Sequence, residues 1–420
     1  MKSGILRSVL SSSIGNVIEW YEYTLYAYFA IVITKLFFPL DNHFIAMILT
    51  FATFAVGLAA RPIGGIIFGY IGDRISRRKS LTITMLMMSI PTMCIGLLPT
   101  YAEIGIMAPI ILVLLRITQG IALGGEFGSS CVYLYESVPK NKRGFFGCLA
   151  LTGVGTGLVF SSLTIFIVES YVSEEQLYSF AWRIPFFISV LGGFMAFYMR
   201  KHLLEPEDFI KAKVQENLVS NPFMVMIRTQ KINFFKLATI FLTTQVSFFV
   251  VFIYGKTMMI NGLGFSSKDA GKFNLITVLS YTISTLIFGY LSDKLNKRLL
   301  ILLGCIGLCF SAYPFISSLK TGDSSTILVM SILMGVLIGL TEGILNPVVA
   351  ETFPVNIRTT SVAFCWNFTS VSFGAVSPII CMGLIENFSV DAVAYYLMGV
   401  CLISITSLIF QLKWHRCRNA

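Results

Sequence analysis

Charged residues are scarce in this chain. They make up 12% of its 420 residues, whereas 55% are hydrophobic and the mean hydropathy is +0.79. A soluble domain carries about twice that charged fraction, so the composition excludes an ordinary water-soluble fold. The sequence also lacks a recognisable catalytic nucleophile, a metal-binding cluster and a nucleotide-binding loop. We therefore expect neither an enzyme nor a protein with a bound cofactor or metal.

Paired cysteines are lacking as well. The nine cysteines lie singly and mostly inside apolar runs, as Cys94, Cys131, Cys305 and Cys381 do. Their spacing matches neither a disulfide framework nor a zinc site. We expect them to fill space between helices as small apolar side chains.

Long hydrophobic runs are what the chain has in abundance. Runs of roughly 20 residues recur along its whole length, and each can cross a hydrocarbon core of about 30 Å as a helix. The predicted fold class is an all-α membrane protein with about twelve transmembrane helices. The predicted spans lie at 12–37, 44–70, 80–98, 106–136, 145–169, 182–200, 234–260, 270–291, 299–317, 325–351, 359–385 and 392–412.

One loop signature occurs twice. Residues 69–79 read GYIGDRISRRK, residues 289–298 read GYLSDKLNKR, and the same two residues, Ile-Phe, precede both. A second set has the same internal spacing in each half: Glu136, Pro139 and Arg143 match Glu351, Pro354 and Arg358. Repetition in matched order indicates two homologous halves. We predict two pseudo-symmetric six-helix bundles, at 1–200 and 233–420, joined by a cytoplasmic linker at 201–232.

Basic residues lie in alternate loops. They cluster at 74–79, at 140–143, in the linker, at 294–298 and near both termini, whereas the loops between hold mainly acids. By the positive-inside rule, we expect the basic loops and both termini in the cytoplasm, and the protein in a bacterial-type inner membrane. The net charge of +10 is therefore a topology signal and does not indicate nucleic-acid binding.

Five ionisable residues lie deep within predicted spans: Glu19, Glu22, Arg61, Arg116 and Glu126. A carboxylate at mid-membrane depth costs about 2.5 to 3.5 kcal/mol, so we predict a water-filled or protein-lined cavity beside Glu19 and Glu22. The helical period places Arg116 and Glu126 on one face at two depths. We expect Arg61 to pair with an acid on a neighbouring helix. The alternatives are interfacial acids near a ragged helix start, and an arginine that extends to the membrane surface.

The sequence resembles the major facilitator superfamily over essentially its whole length, and within it the metabolite:proton symporters. That group includes carriers for proline and betaine, citrate, α-ketoglutarate and shikimate. The resemblance rests on residues 15–23, 61–65, 116–130 and 182–185 and on the two repeated loops. It implies a monomer whose two bundles rock about a midplane site, driven by a proton gradient. The implied partners are a small organic solute, a proton and the lipid bilayer.

The sequence departs from that family at three positions. Glu22 stands where the symporters usually have aspartate, which keeps the carboxyl group but moves it by one methylene. Ser76 and Asn296 replace the usual glycine of the repeated loop, so the turn is less free there.

Two sets of residues are candidates for the working parts of such a carrier. Glu19, Glu22 and Glu126 can carry the coupling proton, while Arg61 and Arg116 can set their charge balance or hold an anionic group. Three carboxylates against two arginines leave one acid without a buried cation. We rank Glu22 first, because Glu126 has Arg116 on its own face and Glu19 lies nearer the cytoplasmic end.

The second set is a predicted conformational latch: Asp73, Arg74, Arg77, Arg78, Glu136, Arg143, Asp293, Lys294 and Arg298. Asp73 and Asp293, each on a short loop, can accept hydrogen bonds from a facing helix start. Plain topology control is the alternative for these loops, and a local ion pair with the basic residues that follow is the alternative for Glu136.

The predicted function is a proton-coupled importer of a small organic solute, such as proline, betaine or a small carboxylate. An uncoupled facilitator or an antiporter of a similar metabolite needs no titrating carboxylate and is the first alternative. A membrane sensor that does not transport is the second.

Overall fold

The computed structural model describes residues 3–201, 205, 207–214 and 219–419, and every regular element in those residues is a helix. The spans are numbered in chain order: α1 (Ser3–Tyr28), α2 (His43–Ile75), α3 (Arg77–Leu97), α4 (Met107–Glu136), α5 (Arg143–Tyr171), α6 (Ala181–Arg200), α7 (Lys231–Gly262), α8 (Ser267–Leu291), α9 (Lys297–Thr321), α10 (Ser324–Thr352), α11 (Val355–Asn387) and α12 (Asp391–Asn419). Shorter helices occupy Ala30–Phe37, Tyr101–Ile104, Glu174–Ser179, Glu207–Val214 and Pro222–Thr229.

Eleven segments of the described chain, α2 to α12, are long and apolar enough to cross a membrane. The predicted all-α membrane fold is therefore confirmed. The first predicted span, 12–37, differs from the others because it forms the end of α1 and the separate helix Ala30–Phe37. The serines, tyrosines and two glutamates of α1 keep it outside this set of eleven segments.

The carboxylates of α1 are buried within the protein. Glu19 is 2% exposed and Glu22 is 1% exposed. Since α1 begins at Ser3, these acids do not lie at a helix start, and the interfacial alternative is wrong. They lie against other helices and away from the lipid.

Glycines set the close contact between α2 and α4. A Cβ on Gly120 would overlap the carbonyl oxygen of Gly57, and a Cβ on Gly124 would overlap that of Arg61. The two backbones therefore touch, as small residues allow in membrane helices. Arg61 and Arg116 lie on these helices and are fully buried, so Arg61 does not extend to the membrane surface.

The repeated loops lie where the two halves meet. The end of α2 touches the start of α11, since a Cβ on Gly69 would lie 2.9 Å from the Cα of Thr360. The end of α8 touches α5 in the corresponding way, since a Cβ on Gly289 would overlap the sulfur of Cys148. The duplicated glycine thus serves two equivalent helix crossings.

Because the spans alternate in direction, their connections form two faces. We call one the basic face, and it carries the ends of α2, α4, α6, α8 and α10 with the connections that follow them: Ser76, 137–142, the described residues of 201–230, 292–296 and 353–354. The opposite face is called the acidic face, and it carries those at 38–42, 98–106, 172–180, 263–266, 322–323 and 388–390.

Candidate functional site

Asp73 connects the two halves at the basic face. Its carboxylate accepts hydrogen bonds from the N–H of Thr359 at 3.2 Å and from the N–H and hydroxyl of Thr360 at 2.9 and 2.6 Å. Both threonines lie near the start of α11, where N–H groups have no partner within the helix. A buried carboxylate of one half therefore caps a helix of the other.

Three further charged side chains surround Asp73, and all four are buried. Arg77 donates a hydrogen bond to Asp73 and its Nε lies 3.6 Å from Oε2 of Glu136. Arg358 donates to Oε1 of Glu136 at 2.9 Å. We call Asp73, Arg77, Glu136 and Arg358 the basic-face cluster. Its two acids and two arginines compensate each other where a single buried ion is costly.

The partners of Glu136 differ from the local ones considered above. They are Arg77 of its own half and Arg358 of the other half. The end of α4 lies against the start of α11, which brings Arg358 closer than sequence distance suggests. Glu136 therefore takes part in the contact between the halves.

Asp293 makes the corresponding contact in the second half. Its carboxylate oxygens accept hydrogen bonds from the N–H of Gly144 at 2.7 Å and of Phe145 at 2.9 Å, at the start of α5. Asp293 is exposed, whereas Asp73 is buried. The pseudo-symmetric pair therefore has one buried and one exposed member.

The other predicted latch residues lie around this face. Lys294 donates to the Tyr290 hydroxyl at 2.6 Å, and Arg74 donates to the Ser220 carbonyl at 3.4 Å. The guanidinium carbon of Arg143 lies 4.3 Å from the centre of the Tyr135 ring. Arg78 is exposed, and the N–H of Arg298 donates to Asn296 Oδ1 at 3.0 Å. Arg74, Arg78, Lys294 and Arg298 lie outside the buried cluster.

The linker between the halves reaches the basic-face cluster, which sequence reasoning missed. Glu205 accepts hydrogen bonds from the N–H groups of Arg77 at 3.0 Å and Arg78 at 3.2 Å, and from the Ser76 hydroxyl. It therefore caps the start of α3. Phe209 is buried beneath Arg77, with 4.9 Å between the guanidinium carbon and the ring centre.

Glu22 ends a chain of hydrogen bonds that reaches Arg116. Ser89 donates to Oε1 of Glu22 at 3.0 Å, and the Thr92 hydroxyl lies 3.3 Å from Oε2. Gln119 donates to Thr92 at 2.7 Å and accepts from Nη1 of Arg116 at 2.8 Å. Within the part of the chain that the structure describes, Glu22 has no ion-pair partner.

Arg116 lies among aromatic rings. Its guanidinium carbon is 4.6 Å from the ring centre of Tyr23, 4.5 Å from that of Tyr26 and 5.3 Å from that of Phe54. Aromatic ring faces attract a guanidinium through cation–π interactions. They are poor hydrogen-bond acceptors for its N–H groups, which point outwards in the plane of the guanidinium. Its Nε and Nη2 atoms are buried and lack a hydrogen-bond partner among the described residues. Arg116 can therefore offer two donors to a ligand.

Glu126 pairs with Arg200 and not with Arg116. The interpretation that Arg116, on the same helix face, balances the charge of Glu126 is therefore wrong. Arg200 binds both oxygens of Glu126 and donates to the Leu81 carbonyl at 2.7 Å. Thr84 donates to Oε2 of Glu126 at 2.6 Å. Arg200 is a third buried cation, so the count of two arginines was also wrong. The local sequence hides it, because Arg200 precedes Lys201 at the expected membrane edge.

Glu19 and Arg61 have no acidic or basic partner within ion-pair distance among the described residues. Both carboxylate oxygens of Glu19 are buried without a hydrogen bond there. Arg61 donates to Oδ1 of Asn367 at 3.0 Å and to the Ser370 hydroxyl at 3.3 Å. The expected acidic partner of Arg61 is therefore replaced by an amide and a hydroxyl of α11. The helical periodicity of a sequence does not show which residues of the other half that helix contacts.

Unpartnered polar groups collect around Trp20. Its ring centre lies 5.9 Å from that of Tyr23 and 5.9 Å from the guanidinium carbon of Arg61. The Trp20 Nε1, Tyr23 hydroxyl and Arg61 Nη2 atoms are all buried without a hydrogen-bond partner in the described residues. We call Glu19, Trp20, Tyr23, Arg61 and Arg116 the central cluster. Orphaned buried groups cost free energy, and a bound solute or water can satisfy them.

The second half contributes fewer charges. Its interior polar groups have the following partners: Glu342 accepts from the Tyr281 hydroxyl at 2.7 Å, Asn346 donates to the Gly147 carbonyl at 3.1 Å, and the Trp366 ring stacks on Phe127 at 3.9 Å between centres. Among described residues, Nε2 of Gln245, Nε1 of Trp366 and both side-chain polar atoms of Asn274 are buried without a partner.

A second contact between the halves lies at the acidic face. Lys256 of α7 donates to both oxygens of Glu169 of α5, at 2.9 and 2.8 Å, and Ser267 of α8 donates to the same carboxylate at 2.9 Å. A cavity of about 310 Å³ lies beside them and is also lined by Tyr28 and Tyr178. The halves are therefore in contact at both faces.

Comparison with known proteins identifies the family. The family model of the Major Facilitator Superfamily matches residues 13–378 and 279–414. A proline/betaine transporter of Salmonella typhimurium is 30% identical over 95% of this chain and 82% of its own length. The shikimate transporter and the inner membrane metabolite transport protein YhjE of Escherichia coli are each 30% identical over 96% of this chain, and over 94% and 92% of their own lengths.

Solved structures share the fold. The proton:xylose symporter XylE bound to 6-bromo-6-deoxy-D-glucose has a TM-score of 0.77 at 17% identity, over 98% of this chain and 96% of that chain. A partially occluded inward-open structure of XylE from E. coli has a TM-score of 0.77 at 16% identity, over 98% of both chains. This protein is a multi-pass membrane transporter and not an enzyme, and it belongs to the major facilitator superfamily.

Proposed function

We propose that the protein is a proton-coupled symporter that imports a small organic solute, either a zwitterion such as proline or betaine or a small carboxylate. The observation that carries this proposal is Glu22, a buried carboxylate without an ion-pair partner among the described residues. Relatives named for proline, betaine and shikimate support the solute class, because all three compounds carry a carboxylate.

Glu22 is the group proposed to carry the proton. An unpaired buried charge is costly, so Glu22 favours its neutral form when the site is closed and can release a proton when water reaches it. Glu126 is unsuited to this role, because Arg200 binds both of its oxygens in a buried ion pair. Glu19, whose oxygens are unpartnered in the described chain, is the second candidate.

The central cluster is proposed to hold the solute. The open donors of Arg61 and Arg116 suit a carboxylate, which guanidinium groups bind with two parallel hydrogen bonds. The faces of Trp20 and Tyr23 suit a substituted ammonium group, and Glu19 supplies a counter-charge. A zwitterion therefore matches both ends of the cluster.

Alternating access is proposed to use the contacts at the two faces in turn. The positive-inside rule assigns the basic face and both termini to the cytoplasm of a bacterial-type inner membrane. The Asp73 and Asp293 contacts would then hold the cytoplasmic side closed, and Glu169 with Lys256 would hold the outer side closed. A proton entering from outside neutralises Glu22, favours solute binding and leaves after the cytoplasmic side opens. We propose that a monomer performs this cycle.

Uptake in proteoliposomes tests the proposal. Labelled proline, betaine and shikimate are offered to the reconstituted protein with an imposed pH gradient, and counterflow of labelled for unlabelled solute is measured without one. Glu22→Gln is expected to abolish accumulation while part of the counterflow remains. Glu174→Gln, at an exposed acid, is the control and should behave as wild type. Full pH-driven accumulation by Glu22→Gln, Glu19→Gln and Glu126→Gln would show that none of these acids carries the coupling proton. Absence of pH-driven accumulation in the wild type, with counterflow intact, would favour an uncoupled facilitator instead.

A further inference from the structure

We propose that Thr92 and Gln119 transmit the protonation state of Glu22 to Arg116, and thereby make solute binding depend on the proton. This inference rests on the proposed proton site at Glu22. Three hydrogen-bond distances join the four residues: Arg116 Nη1 to Gln119 Oε1 is 2.8 Å, Gln119 Nε2 to Thr92 Oγ1 is 2.7 Å, and Thr92 Oγ1 to Glu22 Oε2 is 3.3 Å. All four side chains are buried.

The chemistry of Arg116 determines which group donates and which accepts in each hydrogen bond between Arg116 and Thr92. A guanidinium group only donates hydrogen bonds, so Gln119 must turn its oxygen towards Arg116 and its NH₂ group towards Thr92. Thr92 therefore accepts from Gln119. Its hydroxyl then has one hydrogen and one lone pair left.

The hydrogen of Thr92 has two acceptors within reach. The carbonyl oxygen of Met88 lies at 2.9 Å and Oε2 of Glu22 at 3.3 Å. An ionised Glu22 only accepts, so the hydrogen must turn to it and leave Met88. A protonated Glu22 can donate to the remaining lone pair of Thr92, and the hydrogen then stays on Met88. Protonation of Glu22 therefore reverses the last bond of the chain.

This reversal changes how firmly Arg116 is held. A hydroxyl that donates to a carboxylate is polarised and becomes a stronger acceptor. Ionised Glu22 thus strengthens the bond from Gln119 to Thr92 and fixes Gln119 against Arg116. Neutral Glu22 loosens that chain and leaves Arg116 free to turn to the carboxylate of a solute. Proton uptake should therefore raise solute affinity.

Other titratable or charged groups lie on the helix of Glu22 and on the helices packed against it: Glu19 and Tyr21 on α1, Arg61 on α2, Arg116 and Glu126 on α4, and Arg200 on α6. From α3, Ser89 and Thr92 offer Glu22 hydroxyl groups. Glu126 and Arg200 bind each other. Glu19 is the alternative source of pH dependence, but in the described residues its carboxylate makes no hydrogen bond to the series that joins Glu22 to Arg116. A pH dependence that originates at Glu22 should require Thr92, whereas one that originates at Glu19 should not.

Equilibrium binding of labelled proline, betaine or shikimate, whichever the wild type binds, tests the inference on purified full-length protein from mildly acidic to mildly alkaline pH. Wild-type affinity should fall at least about fivefold as the pH rises, at the lower end of usual coupling between sites. Thr92→Val and Gln119→Leu each break the series of hydrogen bonds. The solute affinity of each variant should therefore change less than about twofold over the same pH range. Thr92→Ser restores a hydroxyl and should follow wild type. Thr118→Val is the matched control, since among the described residues Thr118 bonds only to the Leu114 carbonyl, at 3.0 Å.

The outcomes separate this inference from the proton site itself. If Thr92→Val and Gln119→Leu keep the wild-type pH dependence while Glu22→Gln loses it, the relay is overturned and the proton site stands. If Glu22→Gln keeps the dependence, or wild type has none, both fail. Should Thr92→Val not fold, Gln119→Leu decides the result alone, and retained pH dependence in it overturns the relay.

Discussion

Asp73 on α2 accepts two hydrogen bonds from Thr360 on α11, one from its N–H at 2.9 Å and one from its hydroxyl at 2.6 Å. The contact joins the two halves of the carrier through a buried carboxylate. Hydrogen bonds to a charged group contribute about 1.5 to 3 kcal/mol. A carrier that must open at this face has to break them in every cycle.

Asp73→Asn is expected to weaken closure of the basic face and to slow exchange between the inward- and outward-facing states. Solute affinity should change little, because Asp73 has no contact with the central cluster. Spin-label distances across the basic face, with a binding measurement on the same sample, check this. Asp293→Asn is the comparison and should have a smaller effect, since Asp293 is exposed. Lost binding with a normal exchange rate would show that the contact is not a latch.

Gly15→Ala is expected to separate Arg200 from Glu126. A Cβ on Gly15 would overlap the Arg200 guanidinium, so the guanidinium must move; the loss should stay below the about 3 to 5 kcal/mol that removing one partner of a buried ion pair costs. Thermal unfolding of the purified protein should shift to lower temperature. The control is the same substitution in a background carrying Glu126→Ala and Arg200→Ala, where the Cβ meets no guanidinium and the added loss should vanish. An equal loss in both backgrounds would contradict the explanation.

Glu169→Gln is expected to open the acidic face more often. The ion pair with Lys256 is largely buried, with side chains 13% and 8% exposed, and an amide does not replace its charge. A cysteine at Thr257, which lines the adjacent cavity, should then react roughly tenfold faster with a membrane-impermeant thiol reagent, corresponding to about 1.4 kcal/mol. Glu175→Gln, at an exposed acid that does not line this cavity, should leave the rate unchanged. An unchanged rate in Glu169→Gln would remove this contact from the gate.

A reporter fused after residue 418 is expected to be active only in the cytoplasm, because basic residues crowd the loops on that side. The same reporter inserted at 322–323, on the acidic face, should be active only outside. Fusions whose activities are the reverse of these would invert the proposed orientation of the whole carrier.

The fold was predictable because its signals are local. A membrane span needs only length and apolar composition, and the repeated residues at 69–79 and 289–298 predict two halves without any knowledge of packing. The break after α1 at Phe29 was not predicted. No proline or glycine lies beside Phe29 to mark the break.

The partners of the buried charges were less predictable, because they depend on how helices turn towards each other. Arg116 and Glu126 share one helix, yet Arg116 contacts Gln119 and Glu126 contacts Arg200. Arg61 finds its partners on α11, in the other half of the chain. Side-chain type and spacing identified Glu19, Glu22, Arg61, Arg116 and Glu126 as buried but missed Arg200, and only the packed helices decide which of these groups meet.

Solute-driven proton movement tests the central claim most directly. Proteoliposomes containing a pH-sensitive dye receive labelled proline, betaine or shikimate with no imposed pH gradient, and the internal pH is followed as the solute enters. Wild-type protein should acidify the interior in step with uptake, while Glu22→Gln, which keeps only exchange, should bring no acidification. Uptake by wild type at unchanged internal pH, or acidification that persists in Glu22→Gln, would contradict proton coupling at Glu22.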